Sequence, residues 1–422
     1  PEKLRKGDAW RIPRSLVSVD LGGSAKGLLL RPQPEDDLDD EARIAAYRAL
    51  LTFGDDAKGR YAAYRLRKGE ALYSSVVMRY TDRIEPKDVN ELAGELAARA
   101  GIGDVRAIPA GTEIRIPVEH LAAPFQEEGN RALVEEREVR AEVRRTTRLQ
   151  AGPRLQGVTV ILDAGHGGID PGARANGVWE SDHVYDIAMR VRRLLMDATE
   201  ARVASTIRYP TFGFAPRDSI ERPSRQAQLL TQPPFDNDGE SPSAVSVHLR
   251  WVLANDIVAT HAARGDGQKT LFISLHADSL HPSASGTMVY VPGASGVPAS
   301  FRIGTARLPD VAELKRGNRV AFSGRERIQG EARSRLFAEA LVKSLHKEDL
   351  PIHANRPIRN VIRRGRKSYV PAVIRYSMAS AKVLVEVCNL QNPADAERLA
   401  DPDFRERYAV AMVNGIKAYF GK

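Results

Sequence analysis

Cysteine is almost absent from this chain, with one in 422 residues. A single thiol excludes an internal disulfide framework and any thiolate-rich zinc or iron–sulfur site. Aromatic residues are scarce as well, at 6%, and they do not interleave with basic residues in a stripe. The stacking platform of a nucleic-acid binder is therefore missing. No stretch approaches the roughly 18 apolar residues of a membrane span. No charged–apolar–small targeting pattern opens the chain, which starts at Pro1; a processed mature form or a trimmed chain is the expectation. The bulk composition, 42% hydrophobic and 28% charged, is that of folded protein. At about 150 residues per domain the length allows two or three domains. The net charge of +9 points to an acidic partner, but charge alone does not choose among nucleic acid, anionic lipid and an acidic polymer.

Along the chain, Asp39–Phe53 carries Ile44, Tyr47, Leu50 and Leu51 at helical spacing, with Gly54 as a stop. Residues 61–119 read as a small α+β module. Tyr64–Leu66 forms a short strand, Leu72–Tyr80 and Pro86–Ala100 form helices, and Ile114–Pro117 forms a closing strand. Residues 1–60 have no assigned role, and 121–156 reads as a charged linker in which helix and extended arm fit equally well. From Gly157 the character changes. Apolar strands at Val158–Leu162, Thr270–Leu275, Thr287–Val291 and Val383–Val387 alternate with helical stretches near 182–195, 248–263, 332–346 and 403–420. Strands apolar enough to be covered on both faces predict a three-layer α/β domain, a twisted, mostly parallel sheet flanked by helices. Two long segments interrupt it, the proline-rich 209–246 and the Gly/Ser/Arg-rich 292–331. Loops of that length are usually lids, binding loops or disordered insertions.

Four residues stand where such a fold places chemistry, at strand ends and the loops after them. His166 lies in Leu162-Asp-Ala-Gly-His-Gly-Gly-Ile-Asp-Pro-Gly-Ala173, directly after a strand. Glu180 stands at a helix entrance, His276 ends Phe272-Ile-Ser-Leu-His276, and Glu386 interrupts the apolar run Val383–Val387. Two His and one Glu match a catalytic zinc set that leaves the fourth position to water. Glu386 would serve as general base, because an unpartnered carboxylate in an apolar strand is otherwise costly. Each has a plainer reading: a hydrogen-bonded turn histidine, or a carboxylate favoured by a helix dipole. His281 is a tempting extra ligand, and Cys388 a candidate thiol nucleophile whose ordinary role is packing. The residues alone reach metal-assisted amide or ester hydrolysis.

Taken together, these segments resemble the zinc-dependent N-acetylmuramoyl-L-alanine amidases known as amidase family 3. The matching pieces are Leu162–Ala173, Gly177-Val-Trp-Glu180, Arg250-Trp-Val-Leu-Ala-Asn255, Phe272–Asp278, Gly286-Thr-Met-Val-Tyr290 and Val383–Asn392. They cover roughly 157–206, 247–292 and 332–420 in the family's order. The resemblance implies that His166, Glu180 and His276 bind zinc and that Glu386 is the catalytic carboxylate. Arg250, Asn255 and Asp278 are then candidates for substrate contact or support of the site. It also implies the substrate, the peptidoglycan amide between the lactyl group of N-acetylmuramic acid and L-alanine, and hence an exported, periplasmic or wall-associated bacterial protein. Two departures are the 209–246 segment and Val387-Cys-Asn-Leu-Gln-Asn392, where the family favours Gly-Phe and then aliphatic-Ser-Asn. The 292–331 insertion falls where some cell-division members carry a helix that blocks the zinc, so a gate there, relieved by an activator protein, is the expectation. The 61–119 module resembles a LysM glycan-binding domain through Tyr64–Leu72 and Pro109–Pro117, and would tether the enzyme to wall substrate.

Rival readings are a catalytically silent wall-binding or scaffold protein on the same fold, a zinc carboxypeptidase acting on the stem peptide, and a nucleic-acid-binding protein. The last is disfavoured because Arg and Lys are scattered. The densest basic run, Arg359–Lys367, lies inside the amidase-like region and suits acidic stem peptides, wall polymer or a solvated face.

Overall fold

In the computed structural model the described residues are 40–127 and 150–421, apart from 239–241, 264, 266, 307, 365 and 366; between 127 and 150 only 134, 138 and 141 are described. The expectations for residues 1–39 and for most of the charged segment 128–149 lie outside them.

The β-branched runs become the central sheet. β4 (Thr159–Ala164), β5 (Arg202–Ser205), β6 (Thr270–Asp278) and β9 (Ala381–Asn389) are parallel neighbours in the order β9-β6-β4-β5. β7 (Met288–Tyr290) pairs antiparallel with β9, and β8 (Ile358–Arg359) runs alongside β7 at the edge. The six-stranded sheet is thus mostly parallel, as expected. Its two faces are sorted by the alternation of side chains along each strand. Val160, Leu162, Ile273, Leu275, Val383 and Val385 pack with α3 (Glu180–Ala198), α5 (Gly324–Lys347) and α6 (Pro402–Tyr419). Ile161, Phe272, Met288, Tyr290 and Leu384 face the other way, towards α4 (Pro242–Ala262) and the N-terminal module. α5 starts at a capping box, with Ser323 and Glu326 satisfying each other's backbone N–H groups, eight residues before the expected 332.

The N-terminal module corrects three expectations. α1 (Asp40–Arg48) ends well before Phe53, because Thr52 and Phe53 enter β1 (Thr52–Asp56) and pair with Ala63 and Ala62 of β2 (Gly59–Arg65). Residues 40–56 therefore belong with the module, whose sheet closes with β3 (Glu113–Pro117) beside β2. Between them run the π-helical turn Leu72–Met78 and α2 (Pro86–Arg99). The expected linker 121–156 also shrinks at both ends. Leu121 and Phe125 are buried in the module's core, Ala151 and Leu155 in the main one.

Nor is the module a tethered attachment. One apolar cluster runs from Tyr64, Tyr80 and Leu92 through to Met288, Tyr290 and Leu384 of the central sheet. Polar bonds lock the same seam: Arg79 Nε donates to Asn355 Oδ1 (3.0 Å), Arg356 Nη1 to Asp82 (2.8 Å), and Arg359 Nη2 to Met78 O (3.2 Å). Arg79 is itself paired with Glu70 at 2.9 Å, both side chains about 95% buried.

Candidate metal and catalytic site

The parallel strands β4 and β6 deliver His166 and His276 to the same end of the sheet. His166 follows β4 with a left-handed backbone (φ +59°), an uncommon state for a non-glycine residue that tertiary contacts must hold. Arg250 holds it: one guanidinium nitrogen donates to His166 O, and the other to Ala164 O and Asp163 Oδ1. Asp163 is fully buried and also accepts from Ser274 Oγ (2.7 Å) and Thr206 Oγ1. Glu180 is the first residue of α3, where the helix dipole favours a carboxylate. Its two oxygens accept from Ala173 N (2.9 Å) and Ala277 N (3.0 Å), which aims the carboxylate between the histidines.

The result is a compact donor set. His166 Nε2 lies 3.3 Å from Glu180 Oε2, His276 Nδ1 lies 2.8 Å from Glu180 Oε1, and ligand-capable atoms of all three fall within 4.8 Å of one another. Asp170 Oδ2 accepts from His166 Nδ1 at 2.9 Å, which leaves the Nε2 lone pair facing the centre, the carboxylate–histidine support usual for metal ligands. Space is reserved around them. A Cβ on Gly165 would stand 2.5 Å from His276 Nδ1, and one on Gly172 would stand 2.8 Å from His166 Cδ2. Burial opposes a proton on His166, but the Glu180 and Asp170 carboxylates outweigh it and raise its pKa. Burial likewise opposes charge on Glu180, and the two histidines overcome it, so Glu180 is held ionised.

Glu386 comes to the same place on β9, in register opposite His276. Its side chain is buried, its Oε2 has no hydrogen-bond partner among the described residues, and burial, Asp278, Glu180 and Glu85 push its pKa well above the usual carboxylate range. The four residues singled out in the sequence are thus brought together. The three lesser candidates separate. Arg250 is a brace for the His166 loop rather than a substrate contact. Asn255 is spent on the backbone of Tyr376 and Met378 (2.9 and 2.7 Å). Asp278 ends β6, and its charge is felt at Glu386 and Tyr290. His281 is no ligand: it stacks on Tyr73 of the module (centroids 4.7 Å apart) and bonds Ser283. Cys388 is buried in the main core with its thiol pKa raised by burial, which suits packing.

The two insertions differ in what they touch. Segment 209–246, read in the sequence as a long lid-like, binding or disordered loop, braces the site. Asn237 Nδ2 donates to Gly167 O (2.6 Å) and Asn237 O accepts from Ile169 N (3.3 Å), while Ser224 N donates to Asp182 (3.1 Å). Segment 292–331, expected as a gate, carries regular structure of its own. It forms the ribbon Ser300–Arg302/Arg319–Ala321, the short helix Ala312–Arg316 and the start of α5. Ile303, Val311, Leu314 and Val320 enter the main core; its polar and ring contacts run to α4 through Arg316–Asp256 (2.6 Å) and Phe301–Trp251, to Gln232 of segment 209–246 through Glu313 (3.1 Å), and to Tyr376, which stacks on Phe301 (centroids 4.1 Å). Asp163 and Asn237 were missed by sequence reading. Asp163 stood inside the quoted motif beside the histidine, but nothing local marks Asn237, which acts across 70 residues.

A sequence model of the N-acetylmuramoyl-L-alanine amidases matches residues 160–418, more than half the chain. This chain belongs to that amidase family. Its relatives include a cell wall amidase of Bacillus anthracis, 25% identical over 266 residues (63% of this chain, 36% of that protein). YqiI of Bacillus subtilis is 25% identical over 274 residues (64% and 89%), and the N-acetylmuramoyl-L-alanine amidase AmiA of Salmonella typhimurium 26% over 268 (62% and 75%). The matched region thus spans about a third of the first of these relatives. Among solved structures, the amidase Ami1 of Mycobacterium smegmatis is 19% identical and aligns over 65% of this chain and 99% of its own, with a TM-score of 0.38. The stretch matched by the amidase model contains all four residues of the cluster and both insertions.

Proposed function

We propose that this family member is a zinc-dependent peptidoglycan hydrolase that cleaves the amide between N-acetylmuramic acid and L-alanine of the stem peptide. The observation that carries this reading is the unpartnered, buried Glu386 Oε2 beside a His–Glu–His donor set. The donors fit zinc: two imidazoles and one carboxylate, each oriented by further hydrogen bonds, with glycines in place of side chains that would crowd them. His166, Glu180 and His276 would hold the ion, which when bound supplies a Lewis acid and lowers the pKa of water to about 7. Glu386 Oε2 accepts the proton of the attacking water and returns it to the departing alanine nitrogen. Burial and the neighbouring carboxylates raise the Glu386 pKa, the direction that lets one carboxyl group both accept and return a proton. Arg250 and Asp170 hold His166 still while this occurs.

Such a substrate places the protein outside the cytoplasm, at the cell wall, and the net positive charge suits an anionic wall. The strand–helix–helix–strand order over 59–117 supports the LysM-like reading of the module. A gate at 292–331 draws no support from the packing of that segment. The deciding experiment digests purified peptidoglycan with the zinc-loaded protein and sequences the released peptides. Intact stems with a free L-alanine amino terminus are expected, with turnover lost in Glu386→Gln at unchanged zinc content. Cleavage inside the stem would replace the amidase reading with a carboxypeptidase or endopeptidase one, and no release at all would leave a binding protein.

A further inference from the structure

An open cleft beside the donor set has no part in the chemistry described so far. It holds about 340 Å³, and its walls include Arg174, Asn176 and Trp179 of the hairpin Arg174–Ala175/Val178–Trp179 and Pro223 of the 209–246 insertion. The hairpin occupies the chain between Gly172, where a Cβ would stand 2.8 Å from the His166 ring, and Glu180, which follows Trp179 directly. Arg174 pairs with Trp179 across the hairpin, so it stands opposite the residue that precedes the donor carboxylate. Two residues of extended chain span at most about 7 Å, which also limits the distance of the Arg174 backbone from Gly172. The frame is fixed. Asn176 and Gly177 take left-handed backbones (φ +50° and +78°), as a tight two-residue turn requires. Asn176 Nδ2 donates to Leu390 O at 2.7 Å, just past the end of the strand that carries Glu386, and Trp179 Nε1 donates to Asp182 at 3.0 Å. On the insertion's side, Ser224 N, next to Pro223, donates to the same Asp182. On this frame Arg174 is exposed and has no ion-pair or hydrogen-bond partner among the described residues. Arg222 and Arg225, on either side of Pro223–Ser224, are exposed and equally without partners among them, while the adjoining Glu221 accepts from Ser219 at 3.4 Å.

The proposed substrate carries its free charge on one side of the scissile bond. The lactyl carboxyl of the muramic acid is consumed in the amide, and N-acetyl sugars are uncharged, so free carboxylates occur only along the peptide. A stem residue up to three positions beyond the scissile amide lies within about 11 Å of it. Arg174, with its backbone within about 7 Å of Gly172 and its exposed side chain in the cleft wall, stands in that range. A planar guanidinium is the side chain suited to hold a carboxylate bidentately and in one orientation. Arg222 and Arg225 supply field rather than contact, drawing an anionic stem towards the cleft.

We propose that the cleft between the hairpin and the 209–246 insertion is the stem-peptide subsite, with Arg174 as the residue that binds a stem carboxylate. The inference rests on the amidase reading and deepens it, naming the side of the site on which the peptide lies and the group that is recognised. It also gives the insertion a part in substrate choice, since it supplies one wall of the cleft and two of the three arginines around it.

The test measures steady-state kinetics of the full-length, zinc-loaded protein on two soluble muramoyl-peptides, identical except that one bears free stem carboxylates and the other carboxamides. The wild type should show a KM about fivefold lower for the carboxylate substrate, the worth of one charge-assisted contact at an exposed site. That difference should shrink with salt. Arg174→Gln should bring the two KM values within about twofold of each other by raising that for the carboxylate substrate, with zinc affinity unchanged. Arg174→Lys should restore part of the difference, because a point charge replaces the fork. The double variant Arg222→Gln/Arg225→Gln should lower kcat/KM for the carboxylate substrate about twofold at low salt and not at high salt. Equal KM values in the wild type, or a difference that survives Arg174→Gln, would overturn the subsite. So would an equal rise in KM for both substrates, or loss of zinc from Arg174→Gln, since either would make Arg174 a structural support of the hairpin. Binding of poly(glycerol phosphate), lost in Arg174→Gln while the KM difference persists, would overturn it in favour of an anionic wall polymer. Failure of the wild type to cleave either substrate would instead overturn the amidase reading.

Discussion

Gly165→Ala tests whether the cluster is a metal site rather than a structural hydrogen-bond network. The added methyl carbon would stand 2.5 Å from His276 Nδ1 and 2.7 Å from Nε2, well inside the ordinary van der Waals range above 3.4 Å. Gly165 is not among the positive-φ glycines, so alanine meets no backbone objection there. Its N–H bond to Leu275 O (2.8 Å) ties it to the strand that carries His276, so the ring must give way, by about 1 Å. Metal–ligand distances tolerate only about 0.2 Å. Losing an outer-shell partner already costs roughly 10–100-fold in metal affinity, so displacing a ligand should cost at least about 100-fold, or about 3 kcal/mol. The metal-free fold should lose no more than the roughly 1–3 kcal/mol typical of one overpacked site.

The measurement is zinc affinity by competition with a chromogenic chelator, paired with thermal unfolding with and without zinc. The wild type should gain stability with zinc as RT ln(1 + [Zn]/Kd) requires, and the variant should show a much smaller gap. Gly94→Ala is the control. Nothing lies within 4 Å of its added methyl in the interior of α2, so zinc affinity should hold and stability should rise by about 0.5–1 kcal/mol. A Gly165→Ala protein that binds zinc within about threefold of the wild type would refute the geometry on which the metal assignment rests.

Three further outcomes follow from other parts of the molecule. Asp170→Ala removes the acceptor on His166 Nδ1 and should weaken zinc binding about 10–100-fold while the metal-free melting temperature moves little; unchanged affinity would show that Asp170 does not orient the ligand. Lys382 is buried, with its ammonium pKa depressed by burial and by Arg333 from 10.5 to about 8. The folded state therefore bears the full cost of the charge below pH 8 and sheds it as pH rises towards 10.5. Lys382→Met removes that cost but also the bond from Lys382 Nζ to Ala379 O (3.2 Å), so it should stabilise the protein at pH 7 by about 1–2 kcal/mol, with the gain shrinking between pH 8 and 10.5 in chemical denaturation; a pH-independent difference would contradict this. Removing residues 40–127 uncovers Phe272, Met288, Tyr290 and Leu384, so the remainder should aggregate or unfold at much lower temperature; a monomer melting like the full chain would show the module to be dispensable for the fold.

The sheet and its helices were legible because their signals are local. Val158–Leu162 and Val383–Val387 are β-branched runs too apolar for any exposed element, and the helices around them carry the 3.6-residue period. The chemical residues were legible for a related reason. A histidine among glycines after a strand, and a glutamate inside an apolar strand, each violate what packing alone would choose. What could not be read was anything set by distant pairing. Thr52 and Phe53 continue a helical pattern until Ala62 and Ala63 offer them a strand partner. The module looked detachable because only the three-dimensional structure shows Tyr80 and Leu92 in one apolar cluster with Met288 and Tyr290. Composition also misled at the insertions, since proline and glycine mark irregular backbone without saying what that backbone touches.

The irregular backbone of 209–246 has a physical use at the site. The loop from Gly165 to Gly172 has little side-chain bulk of its own, and its conformation includes a left-handed histidine, so left alone it would sample many shapes. It is held from opposite sides instead. Arg250 grips the carbonyls of Ala164 and His166 from α4, and Asn237 grips Gly167 and Ile169 from the insertion. Asp182, in the first turn of the helix that starts at Glu180, is bonded by Ser224 of the same insertion. Two of the three residues of the His–Glu–His donor set therefore have their local backbone held by contacts within the protein itself. A donor set ordered in advance leaves less conformational entropy to be lost when the ion binds. The insertion, a departure from the family pattern, is therefore built into the site: deleting it would release the His166 loop and the start of α3 together.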